Sequence, residues 1–89
     1  MEEINKLRKQ IDIIDQQIVK EFSERLKVCK AIGDVKKANN IPIEDLDREQ
    51  AVVERLADFC TEVDYPYVKS LYKRIFTLCK GYEKEQSKA

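Results

Sequence analysis

Arg25 and Lys36 stand eleven residues apart, and eleven steps of about 100° return a helical side chain to nearly the same face. Ile32 lies on the same stripe, so a cation, an aliphatic side chain and a second cation line one side of a helix. Two readings are open for this pair: long side chains snorkelling from a solvated face, or a basic grip on a small ligand. A further cation, Arg8, precedes Arg25 by seventeen residues, about 25 Å of helix. Within one chain the two cannot hold one small ligand; in an antiparallel dimer, Arg8 of one copy approaches Arg25 of the other. Asp45, Arg48 and Glu49 follow in "EDLDREQ", three and four residues apart, as an ordinary charged helix start or as part of a binding cluster. A last stripe, Tyr72, Phe76, Cys79 and Glu83, mixes aromatic, thiol and acidic chemistry at helical spacing.

What is missing narrows the chemistry. The 89 residues contain no histidine, so the usual general base and the Ser–His and Cys–His pairs are absent. Three widely spaced cysteines, Cys29, Cys60 and Cys79, suggest neither a disulfide framework nor a CxxC metal site, and three reduced thiols are expected. No cofactor and no metal are expected. Lys+Arg and Asp+Glu both number 17, without the basic excess of a nucleic-acid binder. No apolar run is long enough to cross a bilayer, and the acidic start "MEEINK" lacks the apolar core of a secretion signal. A cytoplasmic protein with no nucleic-acid or membrane partner is the expectation.

The elements that must position these residues are helices. The composition is 43% apolar and 38% charged with two Gly and two Pro, as amphipathic helices with charged outer faces require. Apolar residues at Ile4, Leu7, Ile11, Ile14, Ile18, Phe22, Leu26, Cys29 and Ile32 recur about every 3.5 residues, predicting one helix from about residue 3 to about 37. Asn39–Asn40 and Pro42 supply its stop. A second helix starts at Asp45 or Asp47, the latter forming a capping-box pattern with Gln50, and carries Val53, Leu56, Phe59 or Cys60, and Val63. A third begins around "VDYPY", with Asp64 as a cap and Pro66 in the first turn. It continues through Val68, Leu71, Ile75, Leu78 and Tyr82 and frays in "EKEQSKA".

The first helix is too long for the chain that carries it. About 35 residues make roughly 50 Å of helix, whereas a compact chain of this size is only about 30 Å across. Two shorter helices cannot cover such a seam, and a second copy is the economical partner. Residues 1–89 therefore read as one all-α domain, a three-helix chain with a very long first helix, forming an intertwined homodimer.

The order Arg8, Arg25, "GDVK" ending in Lys36, then "PIEDLDRE" with Asp45, Arg48 and Glu49, closely resembles the all-helical (type II) chorismate mutases, from about Ile4 to Glu83. The resemblance implies an intertwined dimer whose two sites each draw on both chains. It also implies the rearrangement of chorismate to prephenate, an isomerisation without covalent intermediate or metal, on the route to phenylalanine and tyrosine. By the same resemblance, Arg25 and the other copy's Arg8 grip the substrate's two carboxylates with planar guanidinium forks. Arg48 assists there directly or through water. Lys36 faces the ether oxygen as its bond breaks, Glu49 with the Asp45 backbone receives the ring hydroxyl, and Ile32 is apolar wall.

Helix three departs from the family pattern at two positions. Cys79 stands where Ser is common, and Glu83 where a Gln donates to the ether oxygen. A carboxylate cannot donate, so Glu83 is expected to act protonated, with activity lost as pH rises through its pKa. The alternative is a solvated Glu83 outside the site. Two other functions share the features read so far: isochorismate pyruvate lyase, which works on a similar dianion in the same fold, and a non-enzymatic helical dimerisation module.

Overall fold

The computed structural model describes residues 1–87 and contains three α-helices: α1 (Glu2–Ala38), α2 (Leu46–Leu56) and α3 (Tyr65–Ser87). A 3₁₀ turn, Ala57–Phe59, follows α2 directly. Helix α1 runs unbroken for 37 residues, as its seam predicts. It stops where Asn40 enters the left-handed region at φ 55°, a conformation that asparagine tolerates. The Ile41 N–H then returns to the Lys36 carbonyl at 2.8 Å, and the Asn39 side chain donates to the Val35 carbonyl at 2.8 Å, closing the end of the helix.

Asp45 is the cap of α2, its Oδ1 accepting from the Arg48 N–H at 3.0 Å. Of the two aspartates open in the sequence, the earlier one caps. Asp47 lies inside the first turn, and Gln50 donates instead to Glu54. The apolar pattern expected to carry α2 to Val63 is corrected, because the helix ends at Leu56 and tightens into the 3₁₀ turn. Cys60 is half-buried, while Phe59 and Val63 are 82% and 77% exposed. Thr61 Oγ1 accepts from the Asp64 N–H, and the Asp64 carbonyl in turn accepts from Tyr67 and Val68 as α3 begins. Helix α3 stays regular beyond Glu83, and the part of the expected fraying that falls on Lys88 and Ala89 lies outside the described residues.

The second half of α1 packs in parallel on α3 at a constant offset. Cys29 meets Cys79, and Gly33 meets Glu83. Both pairs are separated by 50 residues, so the helices run side by side in register. Tyr65 at the start of α3 ties back to α2 through its hydroxyl, which donates to the Val53 carbonyl at 2.9 Å.

The first half of α1 has no such cover. Leu7, Ile11, Ile14 and Ile18 are each between 51% and 57% exposed. The radius of gyration is 16.4 Å, against about 12 Å for a compact chain of this length, and the longest dimension is 55 Å. Among the described residues, no helix is long and apolar enough to cross a membrane.

Candidate active site

A cleft of about 380 Å³ opens where the end of α1, the start of α2 and the last third of α3 meet. That volume suits a small molecule. Arg25, Ile32 and Lys36 face it from α1, Asp45, Arg48 and Glu49 from the start of α2, and Cys79 and Glu83 from α3. Eight of the nine candidate site residues thus share one cavity. Arg8 does not line it; it is exposed near the far end of α1.

Each charged group has a local reason for its position. Arg25 is half-buried, with its guanidinium carbon 5.8 Å from the Tyr72 ring centre and 5.9 Å from that of Phe76. The two rings meet edge to face at 5.9 Å, giving the planar cation a stiff aromatic support. Lys36 donates to the Ile43 carbonyl at 2.8 Å, which folds the loop before α2 onto α1. An ammonium has three N–H groups, so two remain for a ligand. Glu49 is held at 3.0 Å by Lys80, which also reaches Glu44 at 3.0 Å.

Glu83 is 6% exposed, which removes the solvated alternative. Burial pushes its carboxyl above the usual range, and the nearby positive charges of Lys36 and Arg25 pull it back only in part. The Lys80 ammonium is shifted upward by its hydrogen bonds to Glu44 and Glu49.

The chain matches the model of the family described as chorismate mutase type II over residues 7–84. It belongs to that family. It is 36% identical, over 96% of its length, to the bifunctional chorismate mutase/prephenate dehydratase of Aquifex aeolicus, covering 25% of that protein. It is also 36% identical to the chorismate mutase of Methanocaldococcus jannaschii, over 70% of this chain and 63% of that one. A third relative, the 3-dehydroquinate dehydratase of Pyrobaculum aerophilum, is 30% identical over 86% of this chain and 23% of its own. The chain thus spans between about a quarter and under two thirds of the length of these relatives. No solved structure gives a significant match.

The family match runs from before Arg8 to just past Glu83, so it includes every residue of the cleft. Two features of the cleft went unread in the sequence. Lys80 is a pocket residue and the clamp on Glu49, though on α3 it looks like one more surface lysine. The expectation of three reduced thiols is also corrected: Cys29 and Cys79 are joined by a disulfide, and Cys60 alone is free. The parallel register of α1 and α3 sets their Cα atoms 6.2 Å apart, a spacing that accepts the bond. The two sulfurs and a Glu83 oxygen lie within 4.8 Å of one another, but sulfurs bonded to each other offer no thiolate to a metal.

Proposed function

We propose that the chain, with residues 1–89 acting as one domain, catalyses the rearrangement of chorismate to prephenate. The observation that carries this reading is the meeting of Arg25, Lys36 and Glu83 in one cleft, within a chain of the chorismate mutase type II family. The reaction breaks an ether C–O bond and forms a C–C bond within one molecule. It transfers no proton and needs no nucleophile, so a site without histidine is adequate.

What such a site must supply is conformation and charge. Arg25, stiffened by Tyr72 and Phe76, holds one substrate carboxylate, and Arg8 of a second copy holds the other. Clamping both carboxylates keeps the enolpyruvyl side chain over the ring, near the reactive geometry. Negative charge grows on the ether oxygen as the bond breaks, and the Lys36 ammonium meets it there. Glu83, whose carboxyl burial pushes above its usual range, acts in its protonated form and donates its O–H to the same oxygen. Arg48 supports a carboxylate, Glu49 and the Asp45 backbone receive the ring hydroxyl, and Ile32 and the Cys79 position shape the wall.

The need for a second copy is supported by the uncovered apolar strip of α1 and by the distance of Arg8 from the cleft. An intertwined antiparallel homodimer buries the first and supplies the second. A cytoplasmic setting belongs to the same reading. Incubation with chorismate, with products identified by chromatography, tests it. Prephenate as product and its loss in Lys36→Ala with the dimer intact are expected; pyruvate release from isochorismate, or no turnover of either compound, overturns the reading.

A further inference from the structure

The disulfide lies inside the cleft wall, and its neighbours are two groups of the proposed chemistry. Arg25 Nη1 donates to Cys29 Sγ at 3.5 Å, and Glu83 Oε1 lies 3.5 Å from Cys79 Sγ. Each neighbour is one helical turn from its cysteine, so guanidinium, sulfur, sulfur and carboxyl form a row across the α1–α3 seam. Both cysteines are buried, at 6% and 7% exposure, yet both border the cleft. Cys60 stands apart, with its sulfur 3.4 Å from the Leu56 carbonyl.

We propose that Cys29 and Cys79 are a reversible dithiol–disulfide couple whose state decides whether Cys79 presents a hydrogen-bond donor to Glu83, so that redox poise tunes the cleft. The proposal rests on the reading of Glu83 as a group that works in its neutral form. In the oxidised state Cys79 Sγ carries no hydrogen. A disulfide sulfur can only accept, and weakly, so the partner that suits it is a protonated carboxyl donating O–H. In the reduced state Cys79 regains an S–H donor beside the same oxygen, and a donor to a carboxylate favours the ionised form. The other charged groups around Glu83 are common to both states: Arg25 and Lys36 from α1, Asp45, Arg48 and Glu49 from the α2 side, and Lys80 from its own helix. Oxidation therefore keeps Glu83 neutral to higher pH, and reduction moves its titration downward.

The exchange balances with a small dithiol as reductant. Its thiolate attacks Cys79 Sγ, and Cys29 leaves as a thiolate beside the Arg25 cation and then takes a proton. The reductant's second sulfur attacks the mixed disulfide and frees Cys79, which is protonated in turn. Two electrons and two protons have then passed to the protein, and the reductant has become a disulfide. Oxidation by a low-molecular-weight disulfide runs the same steps backwards. In a reducing compartment such a pair acts as a regulator rather than as a staple.

The test uses the whole chain of 89 residues equilibrated in dithiothreitol buffers of graded reduced-to-oxidised ratio. Denaturation, alkylation and mass measurement are expected to find one alkylated cysteine in the oxidised form and three in the reduced form. The Glu83 carboxyl is then titrated by ¹³C NMR in each state, without substrate, with Glu83→Gln assigning the signal. A midpoint higher in the oxidised protein by roughly one pH unit is expected. The difference should persist in Cys60→Ala and vanish in Cys29→Ser; the wild-type comparison decides alone if the latter fails to fold. Coincident midpoints, or three alkylated cysteines after oxidation, overturn the proposal. Neither readout needs turnover, so loss of the proposed activity and loss of this inference are separate results.

Discussion

Gly33 of α1 lies directly against Glu83 of α3: a Cβ at residue 33 would stand 3.2 Å from both Cβ and Cγ of the glutamate. That is closer than ordinary packing, so the glycine sets how near α3 can come and where Glu83 points. A glycine inside a helix costs about 1 kcal/mol relative to alanine, and this contact explains why alanine is not used there. Gly33→Ala is expected to lower kcat/KM roughly tenfold by displacing Glu83. Its folding free energy should change by less than about 1 kcal/mol, because gained helix propensity offsets the crowding. At Gly81 an added Cβ would meet nothing within 4 Å, so Gly81→Ala should gain up to about 1 kcal/mol with kcat/KM unchanged. Urea titrations beside steady-state kinetics separate the two glycines.

The raised carboxyl of Glu83 has a consequence for folding with a definite sign. Its pKa is higher in the folded chain than in the unfolded one, so between those two values the native state binds more protons. Stability is then greatest below the unfolded carboxyl value and falls as pH rises through the folded one, opposite to a salt-bridged acid. Glu83→Gln removes this dependence. Urea midpoints measured from pH 4 upward should decline more steeply in the wild type than in the variant, and parallel curves would refute the assignment.

Lys80 acts on the cleft through Glu49. Its side chain is 24% exposed, so its pair with Glu49 contributes modestly to stability, at most about 1 kcal/mol in a double-mutant cycle. The larger effect of Lys80→Met is expected on binding, because Glu49 loses its clamp and the cleft loses a positive charge. KM for the dianionic substrate should rise several-fold and kcat should change little. A fall in kcat with KM unchanged would place Lys80 in the chemistry instead.

The parts of the molecule that were legible in the sequence are those governed by local rules. A 3.5-residue seam without Pro forces a long helix, and the observed ends of α1 lie one residue from those expected. Arg25 and Lys36 share a face because helical periodicity places them there. The end of α2 was not legible, because Val63 fits the helical period while the chain has already tightened into the turn at Ala57–Phe59. The Cys29–Cys79 bond and the Lys80–Glu49 clamp each join two elements far apart in sequence, and only the parallel register of α1 on α3 brings the cysteines together. Spacing along one helix carries no information about its offset against another. Arg8 marks the opposite case, since periodicity and helix length alone point away from the single chain.

The position of Arg8 makes the proposed sharing of a site between two copies testable in solution. Arg8→Ala and Arg25→Ala are each expected to lower kcat/KM by at least about a hundredfold, since each removes one carboxylate fork. In an intertwined dimer the two lesions fall in different places when the variants are mixed. A heterodimer has one site carrying both substitutions and one carrying neither, because the intact Arg25 of one copy meets the intact Arg8 of the other. Unfolding the two variants together and refolding them in equal amounts makes half of the dimers heterodimers, each with one working site of two. Activity should therefore return to about a quarter of wild type. If each cleft were complete within one chain, the mixture would stay as inactive as its components. Separate refolding followed by mixing is the control, and recovery there should be slow, limited by exchange of subunits.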